Sequence, residues 1–132
     1  MSNPRMFSCK AAACVEPMAD SKEWSIYLYN EEKFAFDCVE LIGFGHSGGG
    51  HGSFDKLGLK FDNVPSKSWL RLWRDDDFEL RMYMRLRICA DQSESCFLVD
   101  FPKVYRRKKA LPIVPGIGLT GVTAPLELFG NH

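Results

Sequence analysis

The 132-residue chain carries 17 basic and 17 acidic residues. That balance speaks against a dedicated nucleic-acid binder, which shows a basic excess, and leaves little self-repulsion to oppose association between copies. The length suits a single domain over residues 1–132 with a core of its own.

Ten Phe, four Tyr and three Trp are more aromatic surface than one small core needs, so some of it is available to partners. The five cysteines, Cys9, Cys14, Cys38, Cys89 and Cys96, are odd in number and include no C-x-x-C pair. They read as reduced thiols used as small core residues rather than as a zinc or redox site. The stretch Met6 to Met18 is interrupted by Ser8, Lys10, Glu16 and Pro17, which is not the pattern of a signal peptide. No apolar run reaches the roughly 20 residues of a membrane span. A soluble protein made in a cytoplasm is expected.

In chain order, residues 1–22 read as an N-terminal arm or an edge strand. Trp24 to Tyr29 alternates with β-branched and aromatic residues, and Phe34 to Ile42 comes after the polar turn Asn30–Lys33. The pair predicts a hairpin. Residues 43–53 form a glycine-rich loop. Ser53 to Leu59 suggests a short helical turn limited by Gly58, and Leu59 to Val64 a strand closed by Pro65. Ser66 is placed to cap a helix over 66–74, because positions 69, 72 and 73 share one helical face; Asp75, Asp76 and Asp77 at its negative end disfavour that helix, so a strand is the alternative there.

The clearest pattern is Leu80 to Ile88. Leu80, Met82, Met84, Leu86 and Ile88 alternate with Arg81, Tyr83, Arg85 and Arg87, so a strand with one buried and one wet face is expected. Asp91 to Ser95 turns the chain and Cys96 to Phe101 returns. A connection containing Pro112 and Pro115 leads to a last extended segment, Leu119 to Phe129, whose Pro125 points to an edge. The class is mainly β, a single-domain sandwich or barrel with one short helix.

The glycine loop holds two catalytic patterns. Gly45-His46-Ser47-Gly48-Gly49 satisfies G-x-S-x-G, the nucleophile elbow, and Gly43 to Gly48 satisfies G-x-G-x-x-G. Both need a helix directly after the glycines, and Gly48-Gly49-Gly50-His51-Gly52 is a poor helix start, at about 0.8–1 kcal/mol per glycine relative to Ala. A Ser47 hydrolase would also need a later acid and histidine, and past His51 only His132 remains. His46, His51 and Asp55 could be metal ligands, but that spacing in a glycine loop fixes no geometry. The run Arg106-Arg107-Lys108-Lys109 could meet phosphate or an acidic surface, or be a solvated turn. Arg81, Tyr83, Arg85 and Arg87 suit an interface, since Arg and Tyr favour contact surfaces, and Asp75 to Asp77 offer opposite charge for a head-to-tail contact.

Three C-terminal stretches carry a family resemblance: Phe97-Leu98-Val99-Asp100-Phe101-Pro102-Lys103-Val104, then Leu111-Pro112-Ile113-Val114-Pro115-Gly116, then Thr123-Ala124-Pro125-Leu126-Glu127-Leu128-Phe129-Gly130. Together they resemble the closing portion of tail tube proteins (major tail proteins) of long-tailed bacteriophages. The resemblance implies a β-sandwich with a flanking helix. It would assemble with itself into hexameric rings that stack around a lumen through which DNA passes in transit. It also implies contacts with other tail proteins, such as the tape measure or terminator, and localisation to the virion after synthesis in a bacterial cytoplasm. No catalytic residue, cofactor or metal is implied.

The loop residues Gly45, His46, Ser47, Gly48 and His51 would then reach an adjacent ring. Arg81, Tyr83, Arg85, Arg87, Arg106 and Arg107 would serve subunit interfaces. A small β-rich adaptor, tail-completion or decoration protein is the alternative, and a hydrolase using Ser47 the third.

Overall fold

A computed structural model describes residues 5–15, 24–46, 53–75, 82–101 and 112–128. They form nine strands in two antiparallel sheets that enclose one core. The strands are β1 (Cys9–Val15), β2 (Trp24–Asn30), β3 (Phe36–His46), β4 (Ser53–Val64), β5 (Ser68–Asp75), β6 (Met82–Ala90), β7 (Ser93–Phe101), β8 (Gly121–Pro125) and β9 (Glu127–Leu128). One sheet has the order β5-β2-β1-β8 and the other β4-β3-β6-β7-β9. The mainly-β expectation holds, but among the described residues there is no helix.

The core takes Trp24, Ile26 and Leu28 from the first sheet. From the second come Val39, Leu41, Met82, Met84, Leu86, Ile88, Phe97, Val99 and Phe101. Phe7 seals one end, with its ring 5.6 Å from Phe36 and 6.3 Å from Phe97. Just before it, the Arg5 amide donates to the Ser95 hydroxyl and its guanidinium reaches Asp91, which ties the chain start to the β6–β7 turn. Along β6 the expected alternation is complete: Met82, Met84, Leu86 and Ile88 are buried while Tyr83, Arg85, Arg87 and Cys89 face outward and are half-buried. Leu80 lies outside the described residues.

Several expectations are corrected. Residues 9–15 are not an arm or an edge strand. β1 lies between β2 and β8, and its small residues let both of its faces be covered. Ala11 and Ala13 enter the main core, while Ala12 and Cys14 lie beneath Val114 in a second cluster on the outside of the sheet. Gly121 lets β8 come this close: a Cβ there would sit 2.2 Å from the Ala13 carbonyl oxygen.

The predicted hairpin of residues 24–29 and 34–42 does not form, because β2 and β3 belong to different sheets. The cause is Asn30, which is fully buried. Its side-chain amide donates to the carbonyls of Phe34, Val64 and Pro65, and its oxygen accepts from the Glu32 amide. One side chain therefore fixes the corner where β2 crosses to β3 and β4 crosses back to β5.

The helix expected over 66–74 is the strand β5. Its pairing with β2 slips between Ile26 and Tyr27, which face Trp73 and Arg71, so Leu72 is an inserted bulge residue. The bulge breaks the alternation of two and produces the 69/72/73 spacing that mimics a helical face. Ser53–Leu59 is likewise strand rather than helical turn, with Gly58 at φ +64° beside a second irregularity opposite Leu41 and Gly43.

The remaining differences are smaller. The β6–β7 turn is confined to Asp91 and Gln92, at φ 48° and 62°, the signature of a two-residue hairpin; Ser93 to Ser95 already belong to β7. The last segment is split, with β8 and β9 at the edges of different sheets and buried Leu126 between them. The described part of the Pro-rich connection, from residue 112 on, is a compact turn, closed by the Val114 amide bonding to the Leu119 carbonyl at 2.8 Å and the Gly121 amide to that of Pro112 at 2.9 Å.

Candidate functional site

The strand register brings four rows of residues together on the outer face of the five-stranded sheet. Across β3, β6 and β7 these are Gly45–Tyr83–Asp100, Gly43–Arg85–Leu98, Glu40–Arg87–Cys96 and Cys38–Cys89–Glu94. Directly opposed residues of an antiparallel pair project to the same face. The inner face of the same strands is apolar and buried, so this outer face is left to carry the chemistry.

Gly43 and Gly45 thus have a different role from the one their motifs suggest. Both lie within β3, opposite Arg85 and Tyr83, where missing side chains leave room for two long ones. The loop expected at 43–53 is correspondingly shorter, since pairing continues to His46 opposite Ser53. The next described element along the chain is the antiparallel strand β4 and not a helix. Neither the nucleophile elbow nor the dinucleotide fingerprint finds its required context.

Ser47, Gly48 and His51 lie outside the described residues, as do Arg81, Arg106 and Arg107. The grouping of His46 and Asp55 with His51 therefore has no described geometry. Among the described residues no group of three or more His, Cys, Asp or Glu is placed to hold a metal. No helix there is long and apolar enough to cross a membrane.

Arg87 is anchored on this face by two carboxylates. Its guanidinium lies 2.7 Å from Glu40 and 3.1 Å from Glu94. These hydrogen bonds, Glu94 first and then Glu40, raise its pKa further above the usual arginine value. Arg85 lies in the next row along β6 from this ion-pair network and Tyr83 in the row beyond, both half-buried. Glu40, Glu94 and Asp100 make the face one of mixed charge, a feature the arginine pattern alone did not reveal. The signal was present in the matching parity of Cys38 and Glu40, but it becomes readable only once β3 is known to pair with β6.

The flanks of the sandwich form the other part of the site. β4 and β5, joined by residues 65–67, end the two sheets on one side; β8 and β9 end them on the other. Among the described residues nothing pairs with the outer edge of β4, and β9 covers β7 only at Phe97 and Leu98. An apolar side chain marks each edge of the five-stranded sheet: Leu59 on β4 is 37% exposed and Leu128 on β9 is 41% exposed. No family model, curated protein or solved structure matches the chain.

Proposed function

We propose that this chain is a structural virion protein, the self-assembling subunit of a tail tube of a long-tailed bacteriophage. The observation that carries the reading is the pair of unlike, incompletely paired flanks. An open strand edge is a template for another chain, and two different patches that meet head to tail generate a ring when the rotation closes. Joining the β4 side of one copy to the β7–β9 side of the next would extend the five-stranded sheet across the boundary and cover Leu59 and Leu128. The C-terminal resemblance supplies the identity of the assembly: stacked hexameric rings around a lumen that DNA crosses in transit.

In this reading the outer face with Tyr83, Arg85 and Arg87 meets neighbouring protein, and the tip of the β3–β4 ribbon reaches an adjacent ring. Tape-measure and terminator proteins are further partners, and no residue is catalytic. The wild-type protein is then expected to show a solution mass far above its 15.0 kDa monomer. Leu59→Lys, a charge on the open edge, is expected to give a folded monomer with unchanged circular dichroism. A wild type that stays monomeric at high concentration would contradict the proposal.

A further inference from the structure

We propose that Cys38 and Cys89 form a dithiol site that a low-molecular-weight disulfide converts into a cross-strand disulfide between β3 and β6. The two residues are direct partners in the β3–β6 register. Opposed residues in an antiparallel pair have Cα atoms about 4.5 or about 5.5 Å apart, depending on whether the pair is hydrogen-bonded. Both values fall within the roughly 4.4–6.8 Å span of disulfides. Both cysteines are free and half-buried on the outer face, so a small reagent can reach them.

The other three thiols are excluded by position. Cys96 faces Arg87, whereas the residue opposite Cys89 on β7 is Glu94. Cys96 is therefore diagonal to Cys89, at the about 7–8 Å of such neighbours, outside bridging range. Cys9 and Cys14 are buried in the other sheet, and burial pushes the Cys9 thiol up to about 12.

Burial and then Glu94 push the Cys89 thiol above its ordinary value, with Arg87 acting in the opposite direction. A thiol held protonated attacks slowly, but its reduced form gains no stability from ionisation, which favours the disulfide at equilibrium. In the reaction one thiolate attacks the small disulfide, forms a mixed disulfide and releases one small thiol. The second cysteine then displaces the other small thiol. Two S–H bonds and the reagent's S–S bond break, and one protein S–S bond forms. The two electrons and two protons leave on the two small thiols.

The test uses full-length protein that has been reduced, freed of reductant and exposed to oxidised glutathione. It is read by intact mass and by peptide mapping without reduction. The wild type is expected to lose two hydrogens and yield one cross-linked pair containing Cys38 and Cys89, reversed by a dithiol reductant. Cys38→Ser should instead retain a glutathionyl adduct on Cys89, and Cys96→Ser should behave as the wild type. Stable separate adducts on Cys38 and Cys89 in the wild type would overturn the proposal. So would a link through Cys96, or both thiols left unmodified in excess reagent in the monomeric Leu59→Lys protein, whose outer face no neighbouring copy covers, as well as in the wild type.

Discussion

In the four-stranded sheet the inner strand β1 is hidden on both faces, with Ala11 and Ala13 toward the core and Ala12 and Cys14 beneath Val114. In the five-stranded sheet the central strand β6 is hidden on one face only, and its other face carries Tyr83, Arg85, Arg87 and Cys89. The contrast is written in residue size and polarity. A run of small apolar side chains can be covered from both sides, while strict alternation requires that one side remain wet or meet a partner. The first sheet is the scaffold, and the second displays the groups that can do something beyond folding.

The strongest way to break this contrast is to place the same kind of charge on each outer face. Ala12→Asp buries an unpaired carboxylate under the Val114 turn and is expected to cost about 3–5 kcal/mol, the range for an uncompensated buried charge. Arg85→Glu on the other face, where the side chain is half-buried rather than enclosed, should cost less, about 1 kcal/mol as point changes commonly do, while abolishing assembly. Denaturant unfolding of the two variants measures the difference; equal costs would mean that both sheets are covered alike. Gly121→Ala sharpens the scaffold side. Its methyl would press on the Ala13 carbonyl and the Cys14 Cα, which are backbone atoms that cannot swing aside. A loss of about 1–3 kcal/mol is expected, read as a lower thermal midpoint.

The smallest effect belongs to Arg87→Ala. The Arg87–Glu40–Glu94 network is partly exposed, with side-chain accessibilities of 27%, 18% and 56%. Its removal should cost no more than about 1 kcal/mol, and the cost should shrink in high salt. A much larger loss in chemical denaturation would make Arg87 part of the scaffold and erase the distinction between the faces.

The same contrast explains what could be read from the residues in advance. The alternation of β6 was legible because no bulge interrupts it, and Pro125 marked an edge because proline lacks the amide a central strand must donate. β5 was misread as helix because the bulge at Leu72 shifts the period at the place where Trp69, Leu72 and Trp73 imitate a helical face. The β2–β3 hairpin was misread because Asn30 looks like any polar turn residue. Only its burial, and the carbonyls of Val64 and Pro65 that meet it from a distant segment, make it a corner between sheets. On the candidate face the arginines were legible, but their partners Glu40 and Glu94 and the Cys38–Cys89 pairing depend on register, which local pattern does not encode.

Assembly is the central claim, and negative-stain electron microscopy of the purified wild type beside Arg85→Glu tests it most directly. The account predicts hollow tubes or rings for the wild type and only small dispersed particles for the variant. Uniformly small particles from the wild type at every concentration, or tubes from both proteins, would contradict it.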